Sequence, residues 1–176
     1  MLKVKNGDIP AFEQIMKKHE KPVINTIYRF VGNRIRAEEI AQEVFIKVYN
    51  SAKRYRPKAK FSTWLYKIVT NTCFDDLRKK KNISASFFEN EIPDPKQSSQ
   101  DIILEKDESD CFVREAINSL PKRQRIAVIL REYNGLSYRE ISKILRCSTK
   151  SVESLLYHAK LGLKEKLMPY LKEGKI

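Results

Sequence analysis

Between residues 86 and 110 the chain changes character, and that change limits what it can fold into. The segment holds 8 acidic and 2 basic side chains, together with Pro93, Pro95 and the polar run Gln97-Ser98-Ser99-Gln100. No apolar period of 3.6 residues runs through it before Ile102. It therefore predicts a flexible acidic linker, with a helix beginning no earlier than about Asp101. The 176 residues are thus divided into two blocks, 1–85 and 111–176, each the size of one small domain. The blocks carry +11 and +8, the linker −6, and the whole chain +13. Two basic blocks around an acidic strip suit a polyanionic partner held at two places.

Other features exclude whole classes. Five glycines argue against a β-sandwich or a Gly-rich nucleotide-binding fold. The longest aliphatic run, Ile126 to Leu130, is too short to cross a bilayer. The opening residues Met1 to Asn6 contain no apolar signal-peptide core, so neither secretion nor membrane insertion is expected. Cys73, Cys111 and Cys147 are odd in number and far apart, no CxxC occurs, and His19 and His158 are the only histidines. No metal site and no cofactor are expected from such a set. Free thiols used as small core residues suit a reducing cytoplasm.

Both basic blocks read as helical, so the expected fold class is all-α. In the first, Phe12, Ile15, Met16, His19, Val23, Ile27 and Val31 recur at helical spacing. Pro22 interrupts them, which predicts a short helix followed by a longer one ending at Gly32. A second segment from about Arg36 to Lys53 has Ile40, Ala41, Val44 and Val48 on one face, with Phe45, Tyr49 and Ala52 beside them. Tyr55 to Lys60, with Pro57, reads as a loop. From about Ser62 to Lys81 a third helix would bury Phe61, Trp64, Leu65, Ile68, Val69, Cys73 and Leu77, and turn Thr63, Lys67, Thr70, Asn71 and Arg78 outward.

The second block is well punctuated. Helices are expected over Phe112–Ser119, before Pro121, and over Lys122–Tyr133, closed by Asn134-Gly135. Ser137-Tyr138-Arg139-Glu140 is a capping box. A turn at Arg146-Cys147 and an N-cap at Ser148 then lead into a long helix toward Pro169. Two capped helices across a tight turn are the outline of a helix-turn-helix, whose second helix enters the DNA major groove N-terminus first. Ser148, Thr149, Lys150, Ser151, Glu153 and Ser154 would then face base edges and phosphates, and Lys122, Arg123, Arg125 and Arg139 would meet phosphates.

The first block suggests a different chemistry. Phe45, Tyr49, Tyr55, Phe61, Trp64 and Tyr66 interleave with Lys53, Arg54, Arg56, Lys58, Lys60 and Lys67. Aromatics among cations can stack on unpaired bases while the charges follow the backbone. Phe61 and Trp64 lie on the apolar stripe and so also read as core. Tyr55 lies in the loop and has no such structural claim. Glu38, Glu39, Gln42 and Glu43 form an acidic patch misplaced for DNA and suited to a protein partner. An intrahelical pair from Glu43 to Lys47 would account for one of them.

These motifs, in this order, resemble the extracytoplasmic-function group of bacterial RNA polymerase sigma factors. The stretch from Ala37 to Tyr49 resembles the family's core-binding helix, and Phe61 to Asn71, continuing to Arg78, its promoter-melting helix. Leu120 to Arg125 with Gly135 to Ile141 resemble the start of its last DNA-binding domain. The resemblance implies residues 1–85 for polymerase docking and −10 recognition, 86–110 as linker and 111–176 for −35 recognition. Glu39, Gln42 and Glu43, with Phe45, would dock on the β′ clamp coiled coil. Tyr55, Lys58, Lys60, Phe61, Thr63, Trp64 and Asn71 would capture an unpaired base of the −10 element, with Lys67, Arg78 and Lys79 on its phosphates. Arg123, Arg139, Ser148, Thr149, Lys150, Ser151, Glu153, Ser154 and His158 would serve the −35 element. The last domain would also pack on the β flap, and the linker would lie in the RNA exit path. An anti-sigma factor is implied as a further partner.

The chain departs from the family pattern at Arg146, where Gly is common, and at Glu153 and Leu155, where Arg or Lys is common. It also has His158-Ala159-Lys160 in place of Arg-Ala-Arg. A spacer of about 17 base pairs measures roughly 58 Å, and 25 extended residues reach about 85 Å, so one tether can span both elements. The other readings are a stand-alone helix-turn-helix regulator and a nucleic-acid enzyme. The acidic helix and the aromatic–basic segment speak against the regulator. Asp75-Asp76 is the one Asp pair in a basic block, and neighbouring helical positions diverge by about 100°, which speaks against hydrolytic chemistry.

Overall fold

The computed structural model describes residues 1–57, 59–87 and 108–173, the side chains of 80–87 and 108–110 excepted. The chain divides into two compact units, Met1–Ser99 and Gln100–Ile176. Every regular element among the described residues is helical. Most of the expected linker, including any helix starting near Asp101, and Lys58 lie outside the described residues.

In the first unit α1 (Leu2–Lys5) leads into α2 (Ile9–Val31), α3 (Arg34–Asn50), a 3₁₀ turn (Ala52–Arg54) and α4 (Phe61–Phe87). Asp8 caps α2 by accepting from the Ala11 amide at 2.8 Å, and Gly32 ends it with φ +80°. Asn33 caps α3 in the same way, accepting from the Arg36 amide at 2.8 Å. The packed faces are Val23, Ile27 and Phe30 of α2, Ile40, Val44 and Val48 of α3, and Leu65, Val69 and Cys73 of α4, all without solvent exposure.

The helix break expected at Pro22 does not occur: α2 is continuous through it. Proline inside a helix costs about 3 kcal/mol. Beyond it, Val23, Ile27 and Phe30 are wholly buried, and each contributes roughly 1.5–3 kcal/mol. Burial therefore outweighs the lost backbone bond, and the Pro22 carbonyl accepts from Thr26 Oγ1 at 2.8 Å. α3 is shorter than expected at its C-terminus, and α4 runs past Lys81.

Two polar struts join α3 to α4. The Arg36 guanidinium donates to Asp76 Oδ1 through Nη2 and through Nε at 2.9 Å, and to Glu39 Oε2 at 2.5 Å. Asp76 is 4 % exposed, and both carboxylates raise the Arg36 pKa, chiefly through these hydrogen bonds. About eleven residues further along α3, Lys47 Nζ donates to Thr72 Oγ1 at 3.0 Å. Burial, and then Asp76, push the Cys73 thiol up to about 12.

In the second unit α5 (Glu108–Ser119), α6 (Lys122–Val128) and α7 (Tyr138–Leu145) pack on the long α8 (Thr149–Lys172). α6 runs directly into a π-helical turn, Ile129–Tyr133, which Gly135 closes at φ +63°. Ile126, Ile129, Leu130, Ile141, Val152 and Ala159 form the core. Phe112 stacks on Tyr170 at 4.0 Å. α8 continues through Pro169, where the sequence suggested its end.

Removing one partner of a buried ion pair leaves a carboxylate unpaired in low dielectric. Arg36→Met is expected to lower the unfolding free energy by roughly 2–3 kcal/mol, and Arg36→Met with Asp76→Leu to recover part of it, measured by urea denaturation. Arg146→Gly should act in the opposite direction. Arg146 stands at φ +52°, a left-handed conformation, so its replacement by glycine relieves strain and is expected to stabilise the chain by about 0.5–1 kcal/mol after the entropy of glycine.

Candidate nucleic-acid interface

The loop before α4 and the first turns of α4 carry an aromatic cluster. Tyr55 meets Trp64 edge-on at 5.0 Å and Phe61 at 6.4 Å, Phe61 lies 5.7 Å from Trp64, and His19 of α2 lies 5.2 Å from Phe61. The cluster fixes the loop against α2 and α4. It also consumes Tyr55, which is only 8 % exposed, contrary to its expected place on the surface. Phe61 and Trp64 are half-buried.

Further along α4, two expected surface residues prove internal. Thr63 and Thr70 face inward and are buried, because α4 packs against both α2 and α3 and so hides a wider arc than one stripe. Lys60, Asn71, Arg78 and Lys79 are exposed and Lys67 is half-exposed. Arg78 sits 3.6 Å from Asp75 in an exposed pair, an arrangement worth little in water. The outward side of α4 is therefore a row of cations around Asn71, running away from the aromatic cluster.

On α3 the structure separates two groups that the sequence placed together. Glu39 and Gln42 are exposed and Glu43 half-exposed, but Phe45 is 4 % exposed and belongs to the core. Glu38 pairs with Arg34 at 2.8 Å and Glu39 with Arg36. Lys47 points to Thr72 and leaves Glu43 outside ion-pair distance. Two of the four patch residues are thus paired, and neither is Glu43. The apolar component of this face is Ile35 and Ile46, each 60 % exposed. With Glu39, Gln42 and Tyr49 they make a stripe at spacings of three and four. That signal was present in the sequence but was masked by the stronger buried periodicity.

In the second unit the helix-turn-helix forms as its punctuation requires. Ser137 Oγ accepts from the Glu140 amide at 3.3 Å, and Glu140 Oε2 accepts from the Ser137 amide at 2.9 Å. Arg146 takes the left-handed turn position at φ +52° and ψ +52°, so the turn keeps its geometry without glycine. The Cys147 amide donates to the Ser142 carbonyl at 3.1 Å. Ser148 Oγ accepts from the Ser151 amide at 3.1 Å and lies 2.9 Å from Ser151 Oγ. Arg139, Ser148, Thr149, Lys150, Ser151, Glu153, Ser154 and His158 are all exposed. Tyr157, 62 % exposed and edge-on to His158 at 5.5 Å, continues the face of Lys150, Glu153 and Ser154. Its spacing from Lys150, Glu153 and Ser154 is the sequence signal that marks it.

Two arginines expected on phosphates are tied into the fold. Arg125 donates to the carbonyls of Asn118 and Leu120, closing the end of α5, and burial lowers its pKa. Arg123 donates to the Leu145 carbonyl at 3.2 Å, at the end of α7, while its side chain remains exposed. Among the described residues no group of His, Cys, Asp and Glu is placed to hold a metal ion, and no helix is long and apolar enough to cross a membrane.

Comparison with known proteins converges on one family. Residues 15–83 match Sigma-70 region 2, and residues 113–163 match Sigma-70, region 4. The chain is 32 % identical to RNA polymerase sigma-H factor of Pseudomonas aeruginosa over 98 % of its own length and 94 % of the relative's. It is 31 % identical to ECF RNA polymerase sigma factor SigW of Bacillus subtilis, with 93 % and 92 % of the two chains covered. The fold is shared with the sigma factor RpoE of Bartonella quintana, solved in complex with the anti-sigma factor NepR. There the TM-score is 0.73 at 21 % identity, covering 90 % of this chain and 97 % of that one. These likenesses set the stand-alone regulator aside. The chain belongs to the extracytoplasmic-function RNA polymerase sigma factors.

Proposed function

We propose that the first unit docks on core RNA polymerase and opens the −10 element, and that the second reads the −35 element as duplex. The carrying observation is that the two units expose different recognition surfaces. One presents half-open aromatics beside a row of cations, suited to unpaired bases. The other presents a capped helix N-terminus lined by Ser, Thr and Lys, suited to a major groove. Docking on the β′ clamp coiled coil is assigned to the outward face of α3, with Ile35 and Ile46 as apolar anchors among Glu39, Gln42 and Glu43.

On this reading Lys60, Lys67, Arg78 and Lys79 hold the displaced strand and Asn71 reads a base. Phe61 and Trp64 stack, while Tyr55 and Thr63 shape the site from within. Lys150, Ser151, Ser154 and Tyr157 face the −35 bases, and Arg139 its phosphates. The division of labour follows the boundaries 1–85, 86–110 and 111–176, and the acidic linker follows the RNA exit path. The second unit also packs on the β flap. The protein acts in the cytoplasm as a specificity subunit without catalysis of its own. An anti-sigma factor fits as a partner because the solved relative is held by one.

Run-off transcription with core polymerase tests the whole reading, since promoter opening must depend on the added chain. Gln42→Lys with Glu43→Lys is expected to abolish co-purification with core polymerase and leave the melting temperature unchanged. Phe45→Ala should do the reverse, lowering stability by about 3–5 kcal/mol. Retained co-purification of the double lysine variant would remove α3 as the docking surface. Lys150→Ala should weaken binding to the preferred −35 sequence by roughly 1–3 kcal/mol, read from competition between −35 variants. A uniform loss over all sequences would make Lys150 a phosphate contact only.

A further inference from the structure

α8 is longer than the task assigned to it. Its 24 residues measure roughly 36 Å, and the residues facing the −35 element end at Tyr157 and His158. Val152, Leu156 and Ala159 bury one side in the core of the second unit. On the opposite side Tyr157, Leu161, Lys164, Glu165, Met168 and Lys172 recur at helical spacing, within an arc of about 100°. Tyr157 is 62 % and Leu161 48 % exposed, Lys164, Glu165 and Lys172 are exposed, and Met168 is half-exposed. The last five of these, with Pro169, line a groove whose described wall is α8 alone.

This face is complementary to itself. A parallel pair of such helices would set each residue against its own copy, and so bring Lys164 to Lys164 and Lys172 to Lys172. An antiparallel pair with its two-fold axis between positions 164 and 165 does the opposite. It sets Lys164 against the second copy's Glu165, Leu161 against its Met168 and Tyr157 against its Lys172, and each contact occurs twice. Moving the axis onto either central residue brings like charges together, which costs free energy. The charges therefore select one direction and one register. Lys172 on the ring of Tyr157 adds a cation–π contact, and Leu161 on Met168 an apolar one. Among the described residues Lys164 and Glu165 have no ion-pair partner within their own chain.

The size of the face sets the strength of the contact. From Tyr157 to Lys172 it runs roughly 22 Å along the helix axis. One helix pair of that length buries less than the roughly 1,200 Å² of a standard interface, so the association is reversible. Two chains of net charge +13 also repel at long range, until salt at 0.15 M shortens that repulsion to about 8 Å.

We infer that the C-terminal half of α8 is a docking face for a second copy of this chain, paired antiparallel through Lys164 and Glu165. Tyr157 lies inside the pair, so a dimer cannot also offer it to a major groove. Free chains are then held with part of the −35 surface covered, and promoter DNA competes with the second copy. That consequence rests on the reading of Tyr157 as a −35 contact; the pairing itself does not.

Sedimentation of the full chain in physiological salt, without DNA, tests the pairing. Wild type is expected to pass from one to two chain masses with a dissociation constant on the order of 10–100 µM, the weak end for small interfaces. Lys164→Glu and Glu165→Lys should each weaken it about tenfold, because each variant disrupts two opposed pairs. An equimolar mixture of these two variants should regain the wild-type constant, and so should the double variant Lys164→Glu with Glu165→Lys. Both positions are exposed, and the melting temperature should not change. A wild type that stays at one chain mass, or a mixture that stays monomeric, overturns the pairing. Loss of co-purification with core polymerase by Glu165→Lys, in a chain whose wild type never dimerises, gives the face to polymerase instead. An excess of −35 duplex should return wild type to one chain mass, and two chains sedimenting on one −35 element would overturn the competition. If the duplex binds neither wild type nor the Glu165→Lys monomer, the −35 reading of the second unit fails, while the pairing measured without DNA stands.

Discussion

What the first unit can offer to partners is what remains after α2, α3 and α4 have each buried a face against the other two. Val23, Ile27, Phe30, Ile40, Val44, Val48, Leu65, Val69 and Cys73 have no contact with water. Three helices packed mutually hide a broader arc than two would. Phe45, Thr63 and Thr70 therefore turn inward. The same packing leaves Ile35 and Ile46 outside, each 60 % exposed and on one line with Glu39 and Gln42. These exposed isoleucines among carboxylates, on a unit of positive charge, are what the proposed docking of α3 on polymerase rests on.

The polar struts add registration to this core. Arg36 reaches from α3 to the buried Asp76 of α4 and also holds Glu39, and Lys47 reaches Thr72. The face assigned to polymerase and the face assigned to DNA thus sit on two helices that cannot slide past one another without breaking a buried charge pair. Such a pair adds little to net stability when both partners are present, and losing one of them leaves the other's charge uncompensated. Polymerase docking would in this way set where the cation row of α4 meets the promoter.

The second unit solves a simpler problem. The surface proposed for the −35 element depends on the turn between α7 and α8, and Arg146 takes the left-handed conformation that glycine would take without strain. The capping box at Ser137, the N-cap at Ser148 and the Arg123 bond to the Leu145 carbonyl hold that turn from both sides. These hydrogen bonds offset the backbone strain, and α8 presents its first turn to solvent.

Local rules were enough for much of this. Helical periodicity, caps at Ser137 and Ser148, the glycine stops at Gly32 and Gly135, and the proline-bearing acidic strip are decided by residues within a few positions of one another. They gave the all-α class, the two blocks and the helix-turn-helix, while the family was legible only through the resemblance of whole motifs such as Ala37–Tyr49 and Phe61–Asn71. Contacts between distant residues decided the rest. Pro22 did not break α2 because the burial of Val23, Ile27 and Phe30 outweighs one lost backbone bond. Arg125 became an internal cap because the end of α5 needed a donor. Tyr55 left the surface because Trp64 and Phe61 stood within reach of its ring. The sequence by itself determined which residues this protein has to spend on partners; tertiary packing decided which of them remain at the surface, because burial is settled by neighbours that the sequence keeps far apart.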